Sequence, residues 1–450
     1  MSGGGIADRL AAFATGPVAA DDRMRRFVGM SLLDWSSVGI AGRNEPVAQA
    51  AATLARAEGG AALLLAGGNA TPRAAALANG AAGHALDYDD THFGHIGHPS
   101  VAVIPAALAL GENIRGCDFL NALTIGLETA CRVGAWLGRA HYLAGFHQTG
   151  TSGAFGATAA ASRVLGLTRD QVAHALCLTS TRAAGLKSQF GSMGKPLNAG
   201  FAAEVGVTSA LLAQAGVRSL PDAIDGVQGF GPTHAGAGND RAFDNLGHTW
   251  VFPDISYKFH ACCHGLHAML EALQDLRDAG VTAGRIVAVH VQTNPAWLAV
   301  CNQPSPVHGL QAKFSYRLTA AMSLAGCDTA ALETYSDAAC ADPMLTALRD
   351  RVVVTGDSSL SETEARVVIE TRDADRYEAH RNITAPIKTE VLKQRLQAKS
   401  ASLLGDASAK DLERAVTDLA DAADLSFYVT ALKHPLTLAL NSKPNQCRGL

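Results

Sequence analysis

From His84 to Ser100 the chain reads His-Ala-Leu-Asp-Tyr-Asp-Asp-Thr-His-Phe-Gly-His-Ile-Gly-His-Pro-Ser, four histidines and three aspartates directly after an apolar stretch. Side chains of these types can do acid–base work. An imidazole titrates near neutral pH, and a carboxylate beside it can hold the ring and share its proton. The spacing also admits a metal, since His92, His95 and His98 recur every three residues, although Gly94 and Gly97 interrupt the helix that would align them. A purely structural reading stands beside these, with Asp89 and Asp90 capping the next helix and the histidines on a solvated loop.

Further segments carry ionisable groups. His147 lies just before a helix start, and the glycines that follow at 150, 153 and 156 lack the preceding strand of a dinucleotide fold; they suit close helix packing instead. Phe190-Gly-Ser-Met-Gly-Lys195-Pro superficially resembles a phosphate loop, but Pro196 stands where a magnesium-binding Ser or Thr is needed. Lys195 is then a solvated charge or an anion-binding cation beside a helix N-terminus. Ser256-Tyr-Lys258-Phe-His260-Ala-Cys-Cys-His264 joins a lysine, two histidines and two thiols, of which Cys262 reads as a buried thiol more readily than as a nucleophile. Tyr316 opens a later helix, where the plain reading is a packed aromatic.

Helices must position most of these groups. Met24, Phe27, Val28, Ser31, Leu32 and Trp35 recur at helical spacing behind the acidic Asp21-Asp22. Similar patterns predict helices over 45–57, 71–85, 101–112, 118–137, 153–165, 169–184, 199–215 and 264–279. Near residue 284 the texture changes. Arg285–Thr293 alternates, with Val287, Val289 and Val291 on one face, and Arg351–Thr355 and Ala365–Thr371 are β-branched runs. Helices are expected again over 313–324, 340–348, 388–400, 409–420 and 428–440. The architecture expected is mainly α: a large all-α helical domain, 1–280 and 386–450, with a smaller inserted α+β lid domain, 281–385.

The chain has 450 residues, 17% charged and 48% hydrophobic, with 45 glycines and a net charge of −4. Such a chain can bury a large core, which excludes intrinsic disorder. It is not basic enough to track a nucleic-acid backbone. Its longest apolar run, Val101–Leu110, is too short to span a bilayer. The N-terminus has no basic and apolar leader, and no C-x-x-C pair marks a zinc or iron–sulfur site. A cytoplasmic protein with neither nucleic acid nor membrane as partner is expected.

Gly83-His-x-Leu-Asp-Tyr-Asp-Asp-Thr91, His98-Pro-Ser100, the His147 loop, Gly194-Lys-Pro-Leu197 with Gly200, the Lys258 segment and Lys313-Phe-Ser-x-Arg317, in this order, resemble the MmgE/PrpD family. That family includes 2-methylcitrate dehydratase, cis-aconitate decarboxylase and iminodisuccinate epimerase. The resemblance implies a homodimer, a small di- or tricarboxylate substrate, and no metal or organic cofactor. It points to His98 as principal base, Asp87 as its orienting partner or an alternative base, and His147 as acid. It further implies Lys195 and Lys258 as cations for the carboxylates, and Thr91 and Tyr316 as hydrogen-bonding groups for the substrate. The span after Thr91 is one residue longer than in decarboxylase-like members, so His95 could take the place of His98. Those members carry a histidine where Cys263 falls, and His260 or His264 would substitute for it.

The reaction implied is proton abstraction next to a carboxylate, in dehydration of a 2-methylcitrate-like substrate. Decarboxylation of cis-aconitate and epimerisation of a dicarboxylate are the alternatives. Outside this group stand a helical binding protein without activity and a metal hydrolase built on His92, His95 and His98.

Overall fold

The structure, a computed structural model, describes residues 5–111 and 113–433, so the part of the expected helix 428–440 that begins at residue 434 lies outside the described residues. It is mainly α. The described residues divide into two units, 5–257 with 404–433, and 258–403.

The first unit is built from α1 (Ile6–Thr15), α2 (Asp22–Gly42), α3 (Pro46–Ala57), α4 (Pro72–His84), α5 (Ser100–Leu110), α6 (Gly116–Leu143, broken at Gly138), α7 (Gln148–Val164), α8 (Arg169–Thr179) and α9 (Gly194–Gln214). Local sequence sets their starts. Asp21 accepts from the Met24 amide at 2.7 Å ahead of α2, Thr71 and Pro72 open α4, and a reciprocal Thr168–Gln171 box opens α8. A Cβ on Gly200 would stand 2.4 Å from the Leu77 carbonyl oxygen, and one on Gly156 2.6 Å from that of Gly126. Glycine at these two crossings lets α9 approach α4, and α7 approach α6, at backbone range. Alanines fill much of the remaining core, with Trp35, Phe119 and Phe155 among its large buried members.

Two features of this unit bear on the site. On α6 the buried ion pair of Glu128 and Arg132 is fully used: Glu128 accepts from the Val251 and Phe252 amides, and Arg132 donates to the carbonyls of Ala242, Asp244 and Thr249. Residues 242–252 are thereby fixed against α6. The chain also returns to this unit after residue 403. There Gly116 N donates to Ala422 O at 3.0 Å, and the Tyr428 hydroxyl lies 2.7 Å from Ser36 Oγ. No described helix is long and apolar enough to cross a membrane.

The second unit holds α10 (His267–Asp278), β1 (Ile286–Thr293), α11 (Tyr316–Leu324), β2 (Val352–Gly356), β3 (Glu364–Thr371) and β4 (Arg376–Asn382). The sheet order is β2-β1-β3-β4. β1 runs parallel to β2, with Val289 opposite Val352, and antiparallel to β3, with Val291 opposite Val367; β4 closes the sheet antiparallel to β3. Ile286, Val289 and Val291 are buried; α10 packs on β3 and β4, and α11 on β2.

Candidate functional site

α4 ends at His84, and Asp87 adopts φ +50°, a left-handed conformation that aspartate tolerates better than most residues. The chain reverses there and sends successive acidic side chains to different partners. Asp89 turns inward. Its Oδ1 lies 2.8 Å from His84 Nδ1 and its Oδ2 2.8 Å from His98 Nδ1, so one buried carboxylate bridges two imidazoles whose ring centroids are 4.5 Å apart. The His98 amide donates to Thr149 Oγ1 at 3.0 Å, tying the loop to the first turn of α7. His147, immediately before α7, places its ring 6.1 Å from that of His84 and 6.5 Å from that of His98. From the first turn of α9, Lys195 Nζ reaches to 2.7 Å from Asp87 Oδ1, which lies 3.8 Å from His98 Nε2. The Phe190 ring is 4.9 Å from the His147 ring and 5.4 Å from Lys195 Nζ, within cation–π range.

Burial pushes the Asp89 carboxyl up, but the imidazoles of His84 and His98 outweigh it and hold the group far below the ordinary carboxylate range. Burial lowers His98 to about 4 against the pull of Asp89, and His84 and Lys195 add to the fall. His147 is driven well below its ordinary value by burial, then by His84, Lys195 and His98. Both rings are therefore neutral at neutral pH. An ionised Asp89 oxygen 2.8 Å from Nδ1 favours the proton of the neutral ring on that nitrogen, so Nε2 keeps its lone pair and the carboxylate stands ready to stabilise an imidazolium. In the same loop Asp90 accepts from Ser100 Oγ at 2.5 Å; burial, and then the neighbouring Asp34, raise it to about 8, so it is a neutral acid.

The site residues expected from sequence fall into two groups. His98, Asp87, His147 and Lys195 meet in the first unit. The carboxylate nearest His98 is Asp89, at Nδ1, and Asp87, expected beside His98, lies closer to Lys195. Asp89 and Asp90 do not cap α5, whose N-cap is Pro99 with no side-chain bond. His92 accepts from the His95 amide at Nδ1 and donates from Nε2 to the Val251 carbonyl at 2.9 Å. His95, wholly buried, has its Nδ1 2.9 Å from the Ala130 carbonyl oxygen and is lowered to about 3 by burial. These two rings are framework, so a His92–His95–His98 metal triad is not formed and His98 is the ring of the cluster. The donor atoms of His84, Asp87, Asp89 and His98 do lie within 4.8 Å of one another, close enough to converge on a cation. Thr91 donates its hydroxyl to the Ser256 carbonyl at 3.3 Å and pairs with Ser256 through both backbone amides.

Lys258, His260, His264 and Tyr316 belong to the second unit. Lys258 is buried, and the His267 ring lies 5.0 Å from that of His260 and 4.7 Å from that of His264. His260 has Nδ1 2.7 Å from Thr329 Oγ1 and Nε2 3.2 Å from Glu271 Oε1, which is paired in turn with Arg395. Tyr316 departs from the expected substrate contact. It is wholly buried, donates its hydroxyl to the Gly265 carbonyl at 2.7 Å and lies 2.9 Å from Thr293 Oγ1, so it ties β1 to the turn before α10. Burial pushes the Cys262 thiol up to about 12, which leaves it inert.

The MmgE/PrpD N-terminal domain matches residues 8–241 and the MmgE/PrpD C-terminal domain residues 260–425. Among curated relatives, the cis-aconitate decarboxylase of Homo sapiens is 25% identical over 403 residues, 84% of this chain and 83% of its own length. The cis-aconitate decarboxylase-like protein oryM of Aspergillus oryzae is 34% identical over 225 residues, 46% of this chain and 47% of its own. A cis-aconitate decarboxylase of Aspergillus terreus is 29% identical over 279 residues, 56% of this chain and 57% of its own. The chain thus spans about half the length of these two fungal relatives.

Proposed function

The chain belongs to the MmgE/PrpD family, and on that premise we propose that it is a lyase that removes carbon dioxide from a small unsaturated tricarboxylate of the cis-aconitate kind. The observation that carries the reading is the buried Asp89 carboxylate between His84 and His98, with Lys195 and His147 beside it. The names of the relatives support decarboxylation as the reaction. Dehydration of a 2-methylcitrate-like hydroxy acid is the second reading, favoured by a neutral His98 with its Nε2 lone pair available as a base.

In decarboxylation the electrons of the breaking C–CO2 bond form a new alkene at the carbon left behind. The old alkene shifts its pair to its far carbon, that carbon takes a proton, and carbon dioxide leaves. His98 supplies the proton. A substrate with three carboxylates raises the pKa of the imidazole it meets, so His98 takes up a proton as the complex forms and Asp89 holds the imidazolium. His147, neutral, donates a hydrogen bond to a substrate carboxylate as charge moves, an aid that is strong in a site closed to water. Lys195 exchanges Asp87 for another substrate carboxylate.

Incubation with cis-aconitate, 2-methylcitrate and a panel of other di- and tricarboxylates in heavy water, read by proton NMR and carbon dioxide release, tests the reading. Carbon dioxide release with one deuteron in the product is expected, falling roughly 10²–10⁴-fold in His98→Ala. A new alkene without carbon dioxide favours dehydration, and α-proton exchange at constant mass favours epimerisation. If wild type turns over no member of the panel, the enzyme reading fails.

A further inference from the structure

The protonation pattern of His147 can be read from its neighbour. Asn198, three residues after Lys195 in α9, places Nδ2 3.3 Å from the Leu186 carbonyl oxygen and 3.1 Å from His147 Nδ1. A carbonyl oxygen only accepts, so the atom facing it is the amide nitrogen, a donor. That donor also faces His147 Nδ1, which must therefore accept. A neutral imidazole has a single N–H, so the proton sits on Nε2. Both side chains are buried, and the His147 amide donates to the Gly185 carbonyl at 3.0 Å, so the ring and the amide are held in register.

We propose that Asn198 is a positioning residue that fixes His147 as its Nε2–H tautomer and so makes it a hydrogen-bond donor to the substrate. The catalytic half of this rests on the lyase reading; the tautomer does not. His98 is the complement, since the Asp89 carboxylate 2.8 Å from Nδ1 favours the proton there and leaves Nε2, 3.8 Å from Asp87 Oδ1, unprotonated. One amide and one carboxylate thus give two nearby histidines opposite hydrogen-bonding ends, a donor and an acceptor.

Selective 15N-histidine labelling of the full chain, with His147 assigned from the signals lost in His147→Gln, reads the tautomer at neutral pH. The wild type is expected to show an unprotonated Nδ1 and an N–H at Nε2. Asn198→Asp is nearly isosteric but presents an acceptor, so it draws the proton to Nδ1. In that variant kcat is expected to fall about 10²–10⁴-fold, the span of one positioned acid–base group, with a smaller change in KM. An N–H at Nδ1 in the wild type overturns the proposal. So does an Asn198→Asp protein with both the His147 tautomer and kcat unchanged. Should that variant not fold, the wild-type spectrum still decides. Because the spectrum needs no substrate, failure to turn over any carboxylate would sink the lyase reading and leave the tautomer assignment to its own test.

Discussion

Asp87 and Asp89 are two residues apart and hold different charges in place, so substitution separates their roles. Asp89→Asn removes the carboxylate that orients His98 and would stabilise its imidazolium, and kcat should drop roughly 10²–10⁴-fold. Asp87→Asn instead releases Lys195, so KM should change more than kcat. Steady-state kinetics on the turned-over carboxylate compare the two, and the opposite ranking would return the orienting role to Asp87. Asp90 makes a separate prediction. Its folded pKa of about 8 lies above the ordinary 3.8, so the folded state binds more protons across that window and stability falls as pH rises through it. Asparagine resembles the neutral acid and does not titrate. Asp90→Asn should therefore gain stability relative to wild type between pH 6 and pH 9 in urea unfolding, and parallel pH trends for the two proteins would refute it. His98, His147 and Lys195 were legible in the sequence because ionisable side chains stand out in a chain only 17% charged. Which aspartate served which partner was not legible, because it depends on the backbone reversal at Asp87. The framework roles of His92 and His95 depend on distant carbonyls, those of Val251 and Ala130.

Helices with strong apolar periodicity were legible to within a few residues, as in α3, α4 and α5. Shorter elements followed local signals that the periodicity passes over. The segment expected over 313–324 becomes helical at Tyr316, where Ser315 caps it, and the one expected over 340–348 is interrupted by Asp342 capping a new start at Pro343. β4 carries little strand signal in the sequence, because Tyr377 and Ala379 are the sole apolar side chains in Arg-Tyr-Glu-Ala-His-Arg-Asn, as suits an edge strand. The crossing of α4 and α9 matters most for the site, since α4 ends at His84 and α9 carries Lys195 and Asn198. Gly200→Ala would force the Leu77 carbonyl away, at a cost of about 1–3 kcal/mol, and should lower the urea midpoint and kcat together. An unchanged midpoint would show that the crossing has slack.

The whole molecule, with a net charge of −4, exerts no overall pull on a polyanion. Attraction must be local, and in the first unit Lys195 is already matched by Asp87. A tricarboxylate should therefore bring protons with it, and uptake of about one proton on binding at pH 7 is expected as His98 becomes charged. Calorimetry in buffers of different ionisation enthalpy measures this, and zero uptake would remove His98 as the proton donor. The return of the chain after residue 403 has a consequence of another kind. Ala422 and Tyr428 seat on the head of α6 and on α2, yet a ribosome delivers them only after the second unit has been made. The unit begun first is thus completed last. While residues 258–403 are being synthesised, nascent α2 and α6 wait with their receiving faces bare, and that is the interval in which a chaperone has most to shield.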